Sequence, residues 1–163
     1  MKPAAPPFFR VLREPVLLLA CGFGSGLAPR APGTAGSLAA LALAAGASPW
    51  LASSPTSVWL ILAAAILGGI AICGEAARRL AAPDHPAIVW DEFAGLWLTL
   101  ALAPPGWGGW IAGFVAFRFF DIVKPWPIAW IDRRGKGGLG IMADDLAAGV
   151  LAALVVRAAG ALA

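Results

Sequence analysis

His85-Pro-Ala-Ile-Val-Trp-Asp-Glu-Phe-Ala-Gly-Leu-Trp97 decides the fold of this chain, because it places two adjacent carboxylates, Asp91 and Glu92, inside an otherwise apolar run. An ionised carboxylate that leaves water is destabilised unless a cation, a metal ion or strong hydrogen-bond donors compensate it. We therefore expect the folded chain to bring compensating groups to this pair. Polar groups recur downstream, in the cluster Arg118, Asp121 and Lys124 and in the pair Asp144-Asp145.

The composition is typical of a membrane protein. Of the 163 residues, 60% are hydrophobic and 13% are charged, whereas about a quarter of the residues of a soluble domain are charged. This length predicts one compact helical domain over residues 1–163. The net charge of +3 comes without a basic run interleaved with aromatic residues. The composition therefore favours a bilayer or an anionic lipid as the partner and argues against nucleic acid.

The N-terminal residues 1–15 are predicted to form an interfacial extension. Basic residues alternate there with prolines and phenylalanines, and the apolar run Val16–Ala20 that follows is short. Because the apolar core of a signal peptide needs about 7–15 residues, we expect a short interfacial helix instead.

The two cysteines, Cys21 and Cys73, have apolar neighbours and no CxxC spacing. They are predicted to be buried thiols.

Five apolar segments follow, separated by polar or glycine-rich and proline-rich connections. They cover residues 38–51, 56–74, 89–103, 109–124 and 143–162. Several are shorter than the roughly 20 residues that span a hydrocarbon core, so some helices must be tilted or only partly inserted. The prediction is an all-α protein, a compact integral membrane bundle of about five main apolar helices plus a short N-terminal one.

The charged residues are predicted to lie on one side of the membrane. Five crossings place the N-terminal segment and the connections 75–92 and 118–145 on the same side, and all acids and all bases except Arg157 belong to these segments. The opposite turns, 52–55 and 104–108, are uncharged. The positive-inside rule makes the charged side cytoplasmic. Tryptophans near the segment ends, including Trp90, Trp97 and Trp126, are interpreted as interfacial anchors.

The paired acids indicate a metal site. Neighbouring residues on a helix differ by about 100° in direction, so Asp91 and Glu92 can face one cavity. Asp144 and Asp145 repeat the arrangement at the predicted start of the last helix, after the flexible segment 135–140, where capping of the helix is the alternative interpretation. With Asp121 these acids offer hard oxygen ligands without histidine or thiolate. This donor set favours magnesium or manganese over zinc.

Arg118, Asp121 and Lys124 are spaced by three residues, which places them on adjoining turns at the end of a helix that Pro125 terminates. The guanidinium and the ammonium are suited to phosphate oxygens. The alternative interpretation is an intrahelical salt bridge at the membrane edge.

His85 is the only histidine of the sequence. It is expected in a surface turn, and a role as a proton shuttle is the alternative.

Two glycine-rich stretches, Gly22-Phe-Gly-Ser-Gly26 and Pro32-Gly-Thr-Ala-Gly-Ser37, precede the first apolar segment. Converging backbone N–H groups and a helix N-terminus can bind phosphate there, through Gly24, Ser25, Gly26 and Thr34. The alternative is a glycine-rich helix entry that Thr34 or Ser37 caps. A nucleotide-binding P-loop is excluded because no Walker lysine is present.

Five motifs in the same order resemble the bacterial phosphatidylglycerophosphatase A family over most of residues 20–150. They are the two glycine-rich stretches, Ile88-Val-Trp-Asp-Glu-Phe93, Phe117-Arg-Phe-Phe-Asp-Ile-Val-Lys-Pro-Trp-Pro127 and Gly137-Gly-Leu-Gly-Ile-Met-Ala-Asp-Asp145. The resemblance implies a magnesium-dependent lipid phosphatase of the inner membrane that converts phosphatidylglycerophosphate to phosphatidylglycerol. It also implies an all-helical fold in which one central helix is surrounded by others.

The resulting hypothesis is metal-assisted hydrolysis of a terminal phosphomonoester at a site on the cytoplasmic face of a multi-pass protein. Catalysis is assigned to Asp91, Glu92, Asp121 and Asp145. The same acids and Asp144 are expected to hold Mg²⁺, with Mn²⁺ as the alternative cation. Phosphate binding is assigned to Arg118, Lys124, Gly24, Ser25, Gly26 and Thr34.

Two other functions are compatible with these residues. An ion-coupled transporter or channel would use the intramembrane acids to bind an ion, and a non-catalytic membrane scaffold would tolerate their loss. For the phosphatase hypothesis, the expected partners are the bilayer and a membrane lipid as substrate, phosphatidylglycerophosphate. The sequence leaves the oligomeric state open.

Overall fold

Helices and their connections account for the described part of the chain. The computed structural model describes residues 5–83 and 85–162, apart from the side chains of residues 50–53. No β-strand occurs among these residues, so the predicted all-α class is confirmed. The α-helices are α1 (Phe8–Arg13), α2 (Pro15–Ala20), α3 (Pro32–Ser53), α4 (Pro55–Arg79), α5 (Trp90–Leu102), α6 (Trp107–Val123), α7 (Ile128–Arg134) and α8 (Gly137–Leu162). A 3₁₀ segment, Gly22–Leu27, lies between α2 and α3.

Helices α5 and α8 pack side by side at the centre of the bundle. Helix α5 also contacts α3, α4 and α6, and α8 also contacts α4, α6 and α7. Two glycines permit this close approach: a Cβ at Gly149 would lie 2.5 Å from the carbonyl oxygen of Gly95, and one at Gly95 would lie 2.6 Å from that of Asp145. The central position that the resemblance implied for one helix is therefore shared by two.

Two of the described helices, α4 and α8, are long and apolar enough to cross a membrane. In the most apolar 18-residue stretch of each helix, only 22% of α4 and 44% of α8 are buried inside the protein. The core helix of a soluble domain would be mostly buried, whereas exposed apolar helices of this length fit contact with lipid. The chain is therefore membrane-associated. Helices α5 and α6, with 13 and 17 residues, are shorter than a full span.

Two tryptophans that were interpreted as interfacial anchors lie inside the bundle. The indole N–H of Trp90 donates to the carbonyl oxygen of Ala65 at 3.0 Å, and that of Trp97 donates to the carbonyl oxygen of Ala40 at 2.9 Å. These bonds connect α5 to α4 and to α3. Anchoring is thus the wrong interpretation for these two, because both indoles find their partners in the interior. Trp126 is 81% exposed, as an interfacial anchor requires.

The last helix begins at Gly137 rather than near residue 143, so residues 137–140 of the predicted flexible segment 135–140 are helical instead. Glycine serves close packing here, since a Cβ at Gly138 would collide with the carbonyl oxygen of Ile70 on α4. Asp144 and Asp145 therefore lie about two turns inside α8 and do not cap it. Helix α3 likewise begins at Pro32 rather than at residue 38, because a proline at the first helical position loses no hydrogen bond.

The N-terminal segment forms two short helices where one was expected. Glu14, at their junction, lies 2.9 Å from Nε of Arg10 and 3.0 Å from Nη1 of Arg79. Hydrogen bonds from Arg10 and Arg79 lower the pKa of the Glu14 carboxyl. These contacts connect α1 and α2 to the end of α4. Residues 1–4 of the predicted interfacial extension lie outside the described residues.

The contact between α5 and α8 predicts the effect of one added methyl group. Gly149→Ala would force the new Cβ against the carbonyl oxygen of Gly95, and overpacking of this kind costs about 1–3 kcal/mol. We expect a lower midpoint of thermal unfolding in detergent.

The matched control for this substitution is Gly46→Ala in α3, where a Cβ would meet no described atom within 4 Å apart from the helix's own backbone. Because alanine favours a helix over glycine by about 1 kcal/mol, we expect this midpoint to stay constant or rise. Equal midpoints for the two variants would contradict the close packing of α5 on α8.

Candidate active site

A polar cavity of about 460 Å³ lies where several helix ends converge. The N-terminal ends of α3, α5 and α8 line it, together with the C-terminal end of α6 and residues from the adjoining connections. Its charged lining residues are Asp91, Glu92, Arg118, Asp121, Lys124, Asp132, Lys136, Asp144 and Asp145. The structure thus gathers both predicted acid pairs and the predicted cluster Arg118, Asp121 and Lys124 into one cavity.

A larger cavity of about 800 Å³ lies elsewhere, between the far halves of α3, α4 and α5. Its lining is almost entirely apolar and includes Leu43, Ile61 and Trp97, and none of the described residues that line it is charged. Size alone would favour this cavity as the functional site. The smaller cavity holds the titratable groups that phosphate or metal chemistry needs, so it is the candidate active site.

Three carboxylates form the acidic centre of the polar cavity. Asp91, Glu92 and Asp145 each offer an oxygen within 4.8 Å of the oxygens offered by the other two. Among the described residues, Oε2 of Glu92 and Oδ2 of Asp145 are buried without a hydrogen-bond partner. Buried carboxylate oxygens without donors are costly, and a hard divalent cation would satisfy all three groups. The donor set therefore fits Mg²⁺ or Mn²⁺.

The guanidinium of Arg118 lies beside this acidic centre. It forms an ion pair with Asp121, and its Nη1 lies 4.0 Å from Oε1 of Glu92. Nη1 also donates to Oγ of Ser37 at 3.3 Å, and Nη2 donates to Oγ1 of Thr34 at 3.2 Å. Asp121 thus has a cationic partner of its own, although it also lines the cavity beside the three acids at the centre.

Lys124 connects the last turn of α6 to α7 and α8. Its ammonium donates to Oδ1 of Asp132 and to Oδ2 of Asp144, both at 2.5 Å. Partial burial disfavours the charged form of Lys124, but the bonds to Asp132 and Asp144 outweigh it and raise its pKa above the ordinary value. The ammonium therefore stays charged across the physiological pH range. Asp144, like Asp121, is neutralised by a cation of the chain.

The structure does not bring the first glycine-rich stretch to the cavity. Ser25 donates its hydroxyl to the carbonyl oxygen of Gly22 at 2.7 Å, and a Cβ at Gly26 would collide with the carbonyl oxygen of Ala87. Gly24, Ser25 and Gly26 are absent from the described lining of the cavity. These residues pack the N-terminal segment against the connection that leads into α5.

His85 is buried, with 2% of its surface exposed, so the expected position in a surface turn is wrong. Its Nδ1 accepts a hydrogen bond from the backbone N–H of Ala87 at 3.1 Å, which orders the connection that leads into α5.

The predicted burial of Cys21 and Cys73 is confirmed. Burial raises the pKa of the Cys21 thiol to about 11, so Cys21 is no thiolate nucleophile at neutral pH.

Two contributions to this site were missed in the sequence. Ser37 was considered only as a helix cap, yet it lies inside α3 and contacts Arg118. Asp132 was not considered, although it shares Lys124 with Asp144. The spacing of Thr34 and Ser37 carried a usable signal, because residues three apart lie on one side of a helix. Recognising it required Pro32-Gly-Thr-Ala-Gly-Ser37 to be interpreted as the first turns of a helix.

Several known proteins are similar to this chain over most of its length. The sequence model of the phosphatidylglycerophosphatase A family matches residues 18–160. Phosphatidylglycerophosphatase A of Escherichia coli is 46% identical over 145 residues, which cover 87% of this chain and 81% of the relative. Phosphatidylglycerophosphatase A of Haemophilus influenzae is 43% identical over 149 residues, which cover 90% of each protein.

A third relative, from Bacteroides thetaiotaomicron, is provisionally named a phosphatidylinositol-3-phosphatase. It is 38% identical over 154 residues, which cover 88% of this chain and 92% of the relative. No solved structure gives a significant match to the chain. The relatives thus share names that describe removal of phosphate from a lipid headgroup.

The position of Lys124 predicts a loss of stability when its charge is removed. Lys124→Gln would leave Asp144, whose side chain is 8% exposed, without its cation. We expect a loss of about 1–3 kcal/mol, less than for a fully buried pair because the side chain of Lys124 is 30% exposed. The pKa of Lys124 is higher in the folded state than in the unfolded state. The stability difference between wild type and Lys124→Gln should therefore be complete at any pH below the unfolded-state pKa of Lys124. It should disappear only as the pH rises through the folded-state pKa.

Thermal unfolding in detergent at neutral and at strongly alkaline pH measures this effect. Lys136→Gln is the matched control, since Lys136 lines the same cavity but is exposed and forms no ion pair with the described residues. Equal midpoints of the two variants at neutral pH would show that Lys124 does not bridge α7 and α8.

Proposed function

Because the chain belongs to the phosphatidylglycerophosphatase A family and is a phosphoric monoester hydrolase, we propose that it acts on phosphatidylglycerophosphate. The products are phosphatidylglycerol and inorganic phosphate. The observation that supports this reaction best is the group of Asp91, Glu92 and Asp145, which faces the guanidinium of Arg118 in one cavity. Such a site combines ligands for a hard cation with a donor for phosphate oxygens.

Asp91, Glu92 and Asp145 are the residues that would hold Mg²⁺. When bound, the cation supplies Lewis acidity toward the phosphoryl group and lowers the pKa of a coordinated water. Asp121 and Asp144 were predicted as further ligands. In this structure they pair with Arg118 and Lys124, so they are better suited to holding the two cations of the chain in position.

Arg118 and Lys124 are the groups proposed to bind the phosphate. Nε of Arg118 is buried and has no hydrogen-bond partner among the described residues, so it retains a donor for an oxygen of the substrate. The ammonium of Lys124 would exchange one of its two carboxylate partners for a phosphate oxygen. Charge that develops on the phosphoryl oxygens in the transition state then lies next to two fixed cations. A carboxylate that does not bind the metal ion accepts the proton of the attacking water.

The proposed membrane arrangement follows from the position of the cavity. The N-terminal ends of α3, α5 and α8 and the C-terminal end of α6 meet there beside the cations Arg118, Lys124 and Lys136, and the positive-inside rule assigns such an end to the cytoplasm. We propose a multi-pass protein of the bacterial inner membrane whose site opens to the cytoplasmic face. The acyl chains of the substrate remain in the bilayer while its terminal phosphate enters the cavity.

Neither alternative function gains support from these observations. The comparisons do not support an ion-coupled transporter or channel, since the relatives have names of phosphatases. The acids also gather at one end of the helices rather than along a path through the bundle. A non-catalytic scaffold is distinguished by substitution, because it would tolerate the loss of a single acid.

Replacement of an acid at the centre of the cavity tests the proposed reaction. Asp91→Asn and Asp145→Asn keep the size of each side chain and remove a charged ligand. We expect phosphate release from phosphatidylglycerophosphate in detergent micelles to fall at least ~100-fold while the protein stays folded. Glu75→Gln, which changes an acid in an exposed ion pair with Arg78 and Arg79, is the control and should stay within about twofold of wild type. Near wild-type turnover of both aspartate variants would exclude the proposed metal site.

Removal of divalent cations tests the proposed cofactor. The purified protein should release phosphate in the presence of Mg²⁺ and lose this activity in excess chelator. Restored Mg²⁺ should recover it, and Mn²⁺ should do so at least in part, because both are hard cations that accept carboxylate ligands. Activity that survives exhaustive chelation would show that the carboxylates do not act through a metal ion.

A further inference from the structure

We propose that Thr34 and Ser37, in the first turns of α3, are positioning residues that hold the guanidinium of Arg118 toward the substrate phosphate. This inference rests on the proposed function, in which Arg118 binds phosphate oxygens. It changes the predicted role of Thr34 from direct phosphate binding to support of Arg118, and it gives Ser37 a role in the site.

The two hydroxyls contact the two terminal nitrogens of the guanidinium. Oγ1 of Thr34 accepts from Nη2 at 3.2 Å, and Oγ of Ser37 accepts from Nη1 at 3.3 Å. Ser37 is fully buried, and its own proton is donated to the carbonyl oxygen of Gly33 at 2.9 Å. Its lone pairs are therefore left to accept from Arg118, which has only donors.

The backbone of α3 approaches the charged groups closely because residue 33 is a glycine. A Cβ at Gly33 would collide with Oε1 of Glu92 and would lie 3.3 Å from Nη1 of Arg118. Gly33 and Ser37 are four residues apart and so lie on one side of the helix. The segment Gly33–Ser37 thus forms a surface against which both Glu92 and Arg118 rest. We call this surface the α3 platform.

Neutral acceptors suit this role better than further carboxylates. Arg118 already has Asp121 as an ion-pair partner and Glu92 at 4.0 Å. A third carboxylate would cancel more of the charge that phosphate binding requires, whereas hydroxyls fix the orientation of the guanidinium and leave its charge intact. Without them, the guanidinium can turn toward the carboxylates and present different nitrogens to the cavity.

Direct contact of the two hydroxyls with phosphate fits the structure less well. Pro32 and Gly33 line the cavity, but Thr34 and Ser37 are absent from its described lining. Each hydroxyl instead contacts the guanidinium of Arg118, which does line the cavity. The α3 platform therefore acts through Arg118, and this gives a testable difference from a direct ligand.

A double-mutant cycle tests this coupling. Thr34→Val, Ser37→Ala and the double variant are made in the wild-type chain and in Arg118→Ala, and kcat and KM are measured with phosphatidylglycerophosphate in micelles. We expect the double variant to lower kcat/KM about tenfold or more in the wild-type background. In the Arg118→Ala background, the same two changes should alter kcat/KM by less than about twofold. Thr34→Ser, which keeps the hydroxyl, should recover most of the loss of Thr34→Val.

A second measurement does not depend on turnover of the lipid. Inorganic phosphate should raise the midpoint of thermal unfolding of the wild-type protein, because a ligand that binds only the folded state stabilises it. The phosphate-induced rise in this midpoint should be smaller in Thr34→Val/Ser37→Ala than in the wild type. In the triple variant, which adds Arg118→Ala, the rise should be no smaller than in Arg118→Ala alone. If the wild type hydrolyses no phosphatidylglycerophosphate but shows this pattern, the proposed reaction is wrong and the α3 platform is supported.

Ser48→Ala is the matched control, because Ser48 lies in the same helix and, among the residues that the structure describes, its hydroxyl donates only to the backbone carbonyl of Ala45, at 2.8 Å. This variant should retain wild-type kinetics and the wild-type response to phosphate. The proposal is overturned if the double variant behaves like Ser48→Ala. It is equally overturned if its losses multiply with those of Arg118→Ala, since Thr34 and Ser37 would then act independently of the guanidinium.

Discussion

The repulsion among buried carboxylates is the constraint on which the rest of this structure depends. Asp91, Glu92 and Asp145 approach one another in an interior where like charges interact far more strongly than in water. A fold that gathers them must also gather positive charge. Arg118 supplies part of it from α6, and the oxygens of Glu92 and Asp145 that lack a hydrogen-bond partner among the described residues would suit a further cation.

Close packing of helices makes this gathering of charge feasible in so short a chain. Glycines at the contacts of α5 with α8, of α4 with α8 and of α3 with Glu92 let backbones approach to distances that a Cβ would prevent. The contacts of α5 with α8 and of α3 with Glu92 bring the acids of α5 and α8 and the first turn of α3 to one cavity. The small residues that fit helices together in an apolar environment thus also shape the site, because a wider separation would move the carboxylates beyond the reach of one cation.

Much of the site could be predicted because its residues stand out chemically. Acids and bases are rare in this chain, so those inside apolar segments were recognisable, and Asp91, Glu92, Arg118, Asp121 and Lys124 do line one cavity. Glycines were harder to interpret, because the same residue serves a phosphate-binding loop, a flexible connection or a close helix contact. Residues 22–26 serve close packing, since Gly26 lies against the carbonyl group of Ala87, and residues 137–140 form the first turn of α8.

The sequence by itself determined the helical class, the apolar segments and the spacing that places Arg118, Asp121 and Lys124 along one end of a helix. Such patterns are local, because they depend on the period of a single helix. Only the tertiary structure decided that Asp121 pairs with Arg118, that Lys124 joins Asp132 to Asp144, and that α3 supports the guanidinium. These pairings depend on how each helix is rotated and how closely it packs. That geometry is set jointly by all contacts of the bundle, and no single segment encodes it.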